Sequence, residues 1–161
     1  MPKLVLPQKM LAKEEYTDMS ASQKEEYIHN LLKEVLELNP KGITASQLDK
    51  VIYLGHSTIW HHLEILASRA QCFKMERGDT FVYHLNKVLD SLTELDIKSD
   101  YYTYCFNIIE NDYGKFLRLQ LKQENQSGTP RTRCGVLIND KIFDKVLDAL
   151  KEIKKAHLNE D

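Results

Sequence analysis

The stretch "ENDYGKFLRLQLKQ", residues 110–123, decides how the C-terminal half of the chain folds. Leucine occupies positions 117, 119 and 121, and arginine, glutamine and lysine occupy positions 118, 120 and 122. Side chains of a β-strand point alternately to opposite faces, so this alternation predicts a strand with one apolar face and one cationic, hydrogen-bonding face. The Asn-Asp-Tyr-Gly just before it predicts a tight turn after an earlier strand.

Neighbouring segments complete an α+β unit that we place at residues 99–161. "YYTYCFNIIE" predicts the strand before the turn, "NQSGTPRTR" a polar loop and "CGVLI" a third strand. Thr103, Cys105 and Asn107 are expected on the cationic face. Tyr104, Phe106 and Ile108 are expected to join the leucines. The architecture is then a small antiparallel sheet with one C-terminal helix over its apolar face.

The C-terminal helix, from Asp140 onward, has a broad apolar side. That side is wider than one small sheet can cover, and small units have marginal cores. We therefore expect a homodimer joined through the helix. Its expected contact residues are Ile142, Phe143, Val146, Leu147 and Leu150.

Residues 21–98 carry the signals of three helices followed by a hairpin. Ser22 with Glu25, and Thr44 with Gln47, form capping-box patterns, and Ser57 is a candidate cap for the third helix. Gly78-Asp79 separates two alternating segments and predicts a two-residue hairpin turn. This order is that of a winged helix-turn-helix domain. Val88, Leu92 and Leu95 predict a trailing helix, and residues 1–20 are expected to form an arm.

The third helix, "STIWHHLEILASR", is the expected recognition helix, which in this fold enters the major groove. With Ile59, Leu63 and Leu66 inward, its other residues face outward, including Glu64, which can accept from cytosine. The hairpin supplies further donors as a wing. The expected duplex-binding residues are Ser57, Thr58, Trp60, His61, Lys74, Arg77 and His84.

Three alternatives stay open for this unit. Winged helices also serve as protein-docking modules, and this recognition helix is poor in lysine and arginine. A rotated helix would place Trp60 in the core. His56, His61 and His62 raise a metal site as a lesser alternative to groove or phosphate contacts.

"HSTIWHHLEIL" resembles the recognition helix of ArsR-type winged-helix regulators, and the resemblance extends over roughly residues 22–90. It implies a DNA-binding domain. The preceding helix, "SQLDKVIYL", contains no cysteine or histidine. The resemblance therefore does not extend to the metal-thiolate sensing that many of those regulators perform.

Between Tyr113 and Arg133 five cations stand against one acid, Glu124, which gives a local charge of +4. An exposed aromatic ring among such cations is what single-stranded nucleic-acid binding requires. The sequence places Phe116 and Gln120 on the same face as the basic side chains. The expected binding residues are Lys115, Phe116, Arg118, Gln120, Lys122, Arg131 and Arg133.

Residues 100–156 resemble a repeat of the purine-rich-element-binding (Pur) family, and their topology is similar to that of the positive-cofactor-four coactivators. The matching features are an Asn that closes the first strand, Gly followed by a basic residue, Phe-Leu-basic-aliphatic, and a Phe-led final helix. The resemblance implies binding of single-stranded or melted nucleic acid by the sheet, and pairing of two units through their helices. It makes Asn111, Lys115, Phe116 and Arg118 the best candidates.

Two departures from that pattern are evident. Pur proteins usually carry tandem repeats and this chain has one, so a complete unit would need two chains. Only three strands are evident where those families have four. Residues 93–99 are the candidate for the fourth, which puts the border at residue 98 in question.

Composition restricts the remaining possibilities. The chain has 161 residues and a formal net charge of -2, and its three cysteines, Cys72, Cys105 and Cys134, lie far apart. Free thiols, no signal peptide and no membrane-spanning run predict an intracellular, cytoplasmic and nucleoid-associated protein. Cys105 and Cys134 could form a redox pair, although unreactive thiols are the simpler interpretation.

Catalysis is not expected, because no phosphate-cradling loop, nucleophile elbow or zinc-protease pattern occurs. Neither a cofactor nor a metal is expected. The predicted function is that of a dimeric DNA-binding protein, a transcription regulator or a chromatin- or single-strand-associated factor. Its expected partners are double-stranded DNA, single-stranded DNA or RNA, and a second copy, with no membrane. The alternative is a winged-helix repressor whose C-terminal module dimerises or senses a ligand or protein.

Overall fold

A computed structural model describes residues 4–89, 95–124, 128 and 130–158 of the chain, which mix helix with sheet. Two units divide it, Met1–Asn86 and Lys87–Asp161. The border therefore lies twelve residues before the predicted one at residue 98. It lies there because Lys87–Val88 and Leu95–Lys98 are strands that pair with Thr103–Asn111 of the second unit.

Helices dominate the first unit, and a hairpin closes it. Its elements are α1 Lys13–Asp18, α2 Ala21–Leu38, α3 Ala45–Leu48, α4 His56–Ser68, β1 Cys72–Arg77 and β2 Thr80–Leu85. The predicted apolar stripe of α4 is confirmed, since Ile59, Leu63 and Leu66 are all fully buried. They pack with Leu32 of α2 and Leu48 of α3 in one continuous core.

The predicted helix starts are partly right. The Thr44–Gln47 capping box is confirmed, with the Gln47 N–H donating to Thr44 Oγ1 over 3.1 Å. The box on Ser22 and Glu25 is wrong, because α2 begins two residues earlier with Ser20 as its cap. Ser57 caps nothing: Gly55 is the N-cap of α4, and Ser57 lies in the first turn.

The β1–β2 hairpin turns at Gly78-Asp79 as predicted, and Gly78 has the positive φ of 60° that such a turn needs. Ile43 bridges to Tyr83 of β2 through two backbone hydrogen bonds of 2.8 and 3.0 Å. Gly42, at φ 80°, lies so close to the His84 ring that a Cβ there would approach Nε2 to 2.5 Å. Glycine is therefore required at this position.

Residues of the predicted arm are docked on the first unit. Leu4, Leu6 and Met10 pack against its core. Val5 exchanges hydrogen bonds with the Asn39 side chain, its N–H donating over 3.0 Å and its carbonyl accepting over 2.8 Å.

The second unit is a sheet followed by a helix. Its elements are β3 Lys87–Val88, β4 Leu95–Lys98, β5 Thr103–Asn111, β6 Gly114–Glu124, β7 Pro130–Asn139, a 3-10 turn Asp140–Ile142, α5 Phe143–Ile153 and a π-helical turn Lys154–Leu158. Strands β5, β6 and β7 form an antiparallel meander, and both β3 and β4 pair with β5. Strand β7 begins at Pro130, inside the segment predicted as loop.

The predicted trailing helix is wrong at both ends that the structure describes. Val88 pairs with Ile109, and Leu95 pairs with Phe106, so both belong to strands. Leu92 lies outside the described residues. Helical spacing of three apolar residues is a weak signal, and pairing with a long neighbouring strand overrides it. The fourth strand sought in residues 93–99 is confirmed as β4.

Candidate nucleic-acid interface

Helix α4 has one buried side and one exposed side. Opposite its buried stripe, Ser57 and His61 are exposed, Thr58 is half-buried and the Trp60 indole is 47% exposed. Trp60 is thus not a core residue, and the rotated-helix alternative is excluded. These side chains form the α4 face: His56, Ser57, Trp60 and His61.

Glu64 is bound inside the unit. Its Oε1 accepts a hydrogen bond of 2.7 Å from the Tyr83 hydroxyl, and its Oε2 accepts one of 2.7 Å from Lys74 Nζ. Although partial burial raises it, these two donors hold the pKa of Glu64 below its ordinary value. Both oxygens being occupied, Glu64 is poorly placed for the cytosine contact expected from the sequence.

The expected wing residues differ in their surroundings. Arg77 is exposed at the tip of the hairpin. Lys74 is engaged by Glu64 and also lies 4.8 Å from the centroid of the Phe81 ring. His84 is 5% exposed and stacks on Phe73 with ring centroids 4.9 Å apart. The prediction of His84 as a surface donor is therefore wrong: it is a packing residue over Gly42.

The neighbouring histidines join α4 to α2. His62 Nδ1 and His29 Nε2 are 3.1 Å apart, and Arg69 lies 3.3 Å from His29 Nδ1. Burial, the Arg69 cation and His62 lower the pKa of His29 to about 4. Burial also lowers the pKa of His62. Among the residues that the structure describes, no three His, Cys, Asp or Glu side chains form a group fit for a metal ion.

The sheet of the second unit has two faces of different composition. Directly paired residues share a face, so the register puts Thr103, Cys105, Asn107, Phe116, Arg118, Gln120 and Lys122 on one side, the polar face. The leucine face carries Tyr104, Phe106, Ile108, Leu117, Leu119 and Leu121. This division matches the one expected from the alternation.

The five cations do not share one face, contrary to expectation. Lys115 pairs with Glu110 on the leucine side, because position 115 has the parity of the leucines. Arg131 pairs with Gln123 on that side as well, and Arg133 Nε donates to Gln123 Oε1 over 2.8 Å. Only Arg118 and Lys122 remain on the polar face.

Arg118 was expected to be exposed, but it is buried. It is 8% exposed, and its Nε donates to Asn107 Oδ1, itself on a buried side chain, over 2.7 Å. Gln120 is 4% exposed, and the Phe116 ring is half-buried. The middle of the polar face is thus an internal hydrogen-bonded layer and not the open cationic surface predicted from the sequence.

Asn111 has a structural role in the turn between β5 and β6. Its Oδ1 accepts a hydrogen bond of 2.9 Å from the Tyr113 N–H, which closes the turn. Gly114 follows at φ 115°.

A more accessible row crosses the end of the polar face. Lys98 of β4 and Lys122 of β6 both pair with Thr103 of β5, and Thr132 of β7 pairs with Lys122. Lys98 is exposed, and Tyr101 in the adjoining turn is 77% exposed. We call these residues the Lys98–Lys122 row. Lys98 is not among the binding residues predicted from the sequence, because its place beside Thr103 depends on the pairing of β4 with β5.

Large apolar side chains of the second unit remain uncovered. No residue of α5 is buried, and Leu150 is 57% and Ile153 52% exposed. Leu95, Ile97 and Val136 pair with residues of the leucine face and therefore lie on it. Each of them is more than half exposed. The expectation that α5 covers the leucine face within one chain is therefore wrong.

The two cysteines of the sheet lie on opposite faces. Cys105 pairs with Gln120 on the polar side and is buried, whereas Cys134 pairs with Leu121 on the leucine side and is exposed. A disulfide between them would have to pass through the sheet, so a redox switch on this pair is excluded. Burial raises the pKa of the Cys105 thiol.

Comparison with known proteins found no match: no protein-family model, curated protein or solved structure matches the chain. Among the described residues, no helix combines the length and the apolar character that crossing a bilayer demands.

Proposed function

We propose that this chain is a homodimeric DNA-binding protein whose first unit, a winged helix-turn-helix domain, contacts duplex DNA through α4 and the β1–β2 hairpin. The order α2, α3, α4, hairpin, with the Ile43 bridge to β2, is that of such domains. The observation that carries the proposal is the two-sided α4, fully buried along one stripe and open along the other.

The exposed chemistry of the α4 face suits a groove. Ser57 can donate to phosphate or a base edge, the Trp60 ring can contact a thymine methyl group, and His61 can donate or accept. Arg77 at the hairpin tip can reach a phosphate as a wing residue. Protein docking remains the alternative for the same face, because α4 itself carries no lysine or arginine.

Duplex binding is tested by fluorescence anisotropy with a labelled duplex across a KCl series. We expect Arg77→Gln to make the negative slope of log affinity against log salt less steep by about 0.9, the value for one lost phosphate contact. Trp60→Ala should weaken binding with little change in slope. Lys13→Gln, at an exposed cation of α1, is the charge-matched control for Arg77→Gln. Equal effects of the two charge variants would argue against a wing contact.

The second unit is proposed as the dimerisation module. Its uncovered apolar surfaces, on α5 and on the leucine face, are what a second copy would bury. The residues proposed for contact remain Ile142, Phe143, Val146, Leu147 and Leu150, and all except the half-buried Val146 are exposed in the single chain. Two first units would then be available for two half-sites.

Dimerisation is tested by sedimentation equilibrium. Leu150→Glu places a charge within the apolar stripe and should give a monomer. Lys145→Glu introduces the same carboxylate on the same helix outside the stripe, and should leave the dimer intact. A monomeric wild type, or equal dissociation by both variants, would exclude α5 as the contact.

Single-stranded nucleic acid is a second candidate ligand, favoured by the Lys98–Lys122 row. Its two lysines flank a threonine, with the exposed Tyr101 nearby, so backbone contacts and base stacking are both within the chemistry of this end of the sheet. Lys98→Gln should reduce binding of a labelled single-stranded oligonucleotide more than Lys115→Gln does. The reverse order would place such binding elsewhere.

A further inference from the structure

The carboxylate of Glu64 links the recognition helix to both strands of the hairpin. Lys74 belongs to β1 and Tyr83 to β2, and each donates a hydrogen bond of 2.7 Å to a different oxygen of Glu64. We call these three residues the Glu64 clasp. A single side chain of α4 thus binds a hairpin cation and a hairpin hydroxyl at the same time.

One end of the clasp is rigid. Tyr83 is 1% exposed, and its backbone exchanges two hydrogen bonds with Ile43. Its hydroxyl therefore holds Glu64 Oε1 at a fixed place, which in turn fixes Oε2 as the acceptor for Lys74.

The other end is accessible. The Lys74 side chain is 40% exposed, and its ammonium lies 2.7 Å from Glu64 Oε2 and over the face of the Phe81 ring. Both neighbours attract a cation. These two neighbours therefore hold the Lys74 ammonium against α4. The side chain is nevertheless exposed enough to meet a phosphate bound at the hairpin.

We propose that Glu64 is a specificity-determining residue of the duplex interface, because by holding Lys74 it withholds one cation from sequence-independent phosphate contact. The inference rests on the proposed function. Phosphate contacts provide most of the affinity for any DNA, whereas base-edge contacts discriminate between sequences. Withholding one phosphate contact lowers non-specific affinity without altering the α4 face.

The test is a double-variant cycle on wild type, Glu64→Gln, Lys74→Gln and the combined variant, with a labelled random-sequence duplex across a KCl series. Glutamine can still accept from Tyr83 through its amide oxygen, so the rigid end is preserved, which urea unfolding checks. Glu64→Gln should steepen the salt slope by about 0.9 and raise affinity roughly eightfold at about 0.1 M salt. Lys74→Gln alone should leave the slope unchanged, and the combined variant should return to it.

A second readout needs no DNA. The ammonium protons of Lys74 should be visible by ¹H–¹⁵N NMR in the free wild type, since an ion pair slows their exchange, and should vanish in Glu64→Gln.

The outcomes separate the two proposals. If Lys74→Gln lowers the slope equally with and without Glu64, Lys74 contacts phosphate freely and the role of Glu64 is refuted while duplex binding stands. The role of Glu64 is also refuted if the Lys74 ammonium signal is the same in wild type and in Glu64→Gln. If no form binds the duplex, the proposed function fails and the role of Glu64 falls with it.

Discussion

Acid should destabilise the first unit through His29, and the structure gives the size of the effect. His29 is 8% exposed, and its imidazole faces His62 and Arg69 and, on its own helix, Glu25 and Lys33. Burial first, and then the Arg69 cation, lower its pKa from 6.5 to about 4. Below pH 6.5 the unfolded chain takes up a proton that the folded chain refuses.

The sign and magnitude follow from this difference in proton binding. The contribution of His29 is fully present above the unfolded pKa of 6.5 and falls as the pH drops toward about 4. The free energy of unfolding therefore falls by about 2 kcal/mol by about pH 5, and by about 3 kcal/mol once the pH is well below the folded pKa. The lowered pKa of His62 adds a loss of the same sign.

The assay is urea unfolding between about pH 8 and pH 4.5, followed by the fluorescence of Trp60, the single tryptophan, which lies in the first unit. His29→Gln removes the titrating group and keeps a polar side chain. We expect the gap in unfolding free energy between wild type and His29→Gln to shrink by about 2 kcal/mol from pH 8 to pH 5. The exposed His56→Gln is the matched control and should parallel wild type.

A gap that stays constant over this pH range would refute the reasoning. In that case His29 would titrate alike in the folded and unfolded chains, and neither its burial nor the Arg69 cation would affect its proton binding.

Three further predictions concern single positions. Gly42→Ala should destabilise the first unit by about 1–3 kcal/mol in urea, because its φ of 80° is strained for alanine and the added Cβ meets His84, whereas Gly55→Ala, with open space around its Cβ, should cost far less. Asn107→Leu should destabilise the second unit by about 1–3 kcal/mol, because buried Arg118 loses an acceptor, and a neutral result in urea would contradict that role. In native protein treated with maleimide, mass spectrometry should find Cys134 modified before Cys72 and Cys105; equal labelling would contradict their burial, which also raises the pKa of Cys72 to about 12.

Patterns that involve one element at a time were predictable. The leucine alternation fixes β6 and its two faces, and the spacing of Ile59, Leu63 and Leu66 fixes the buried side of α4, because both depend only on the local period of the backbone. The turn at Gly78-Asp79 was equally local.

Features that depend on pairing between strands were not predictable in the same way. Strands β3 and β4 exist because β5 offers them an edge, and three apolar residues at helical spacing do not reveal that edge. An irregularity in the β6–β7 register leaves Arg133 without an opposite residue, since Leu121 pairs with Cys134 and Lys122 with Thr132. The side on which Arg131 and Arg133 lie depends on that irregularity.

The prediction that the polar face is exposed was wrong for a different reason. Alternation shows that Arg118 and Gln120 share a face, but it does not show whether that face is open to solvent. The prediction for Lys115, by contrast, is wrong for a local reason, because its odd position already places it on the leucine face. Glu64 illustrates the same limit in the first unit, because its partners come from strands ten and nineteen residues away.

The most direct test of the proposed duplex contact is the emission of Trp60 during titration with duplex DNA at low salt. Trp60 is the single tryptophan and lies on the α4 face, so binding there should change its fluorescence saturably, and added salt should reverse the change. Duplex binding detected by anisotropy with no change in Trp60 emission would contradict a contact through α4.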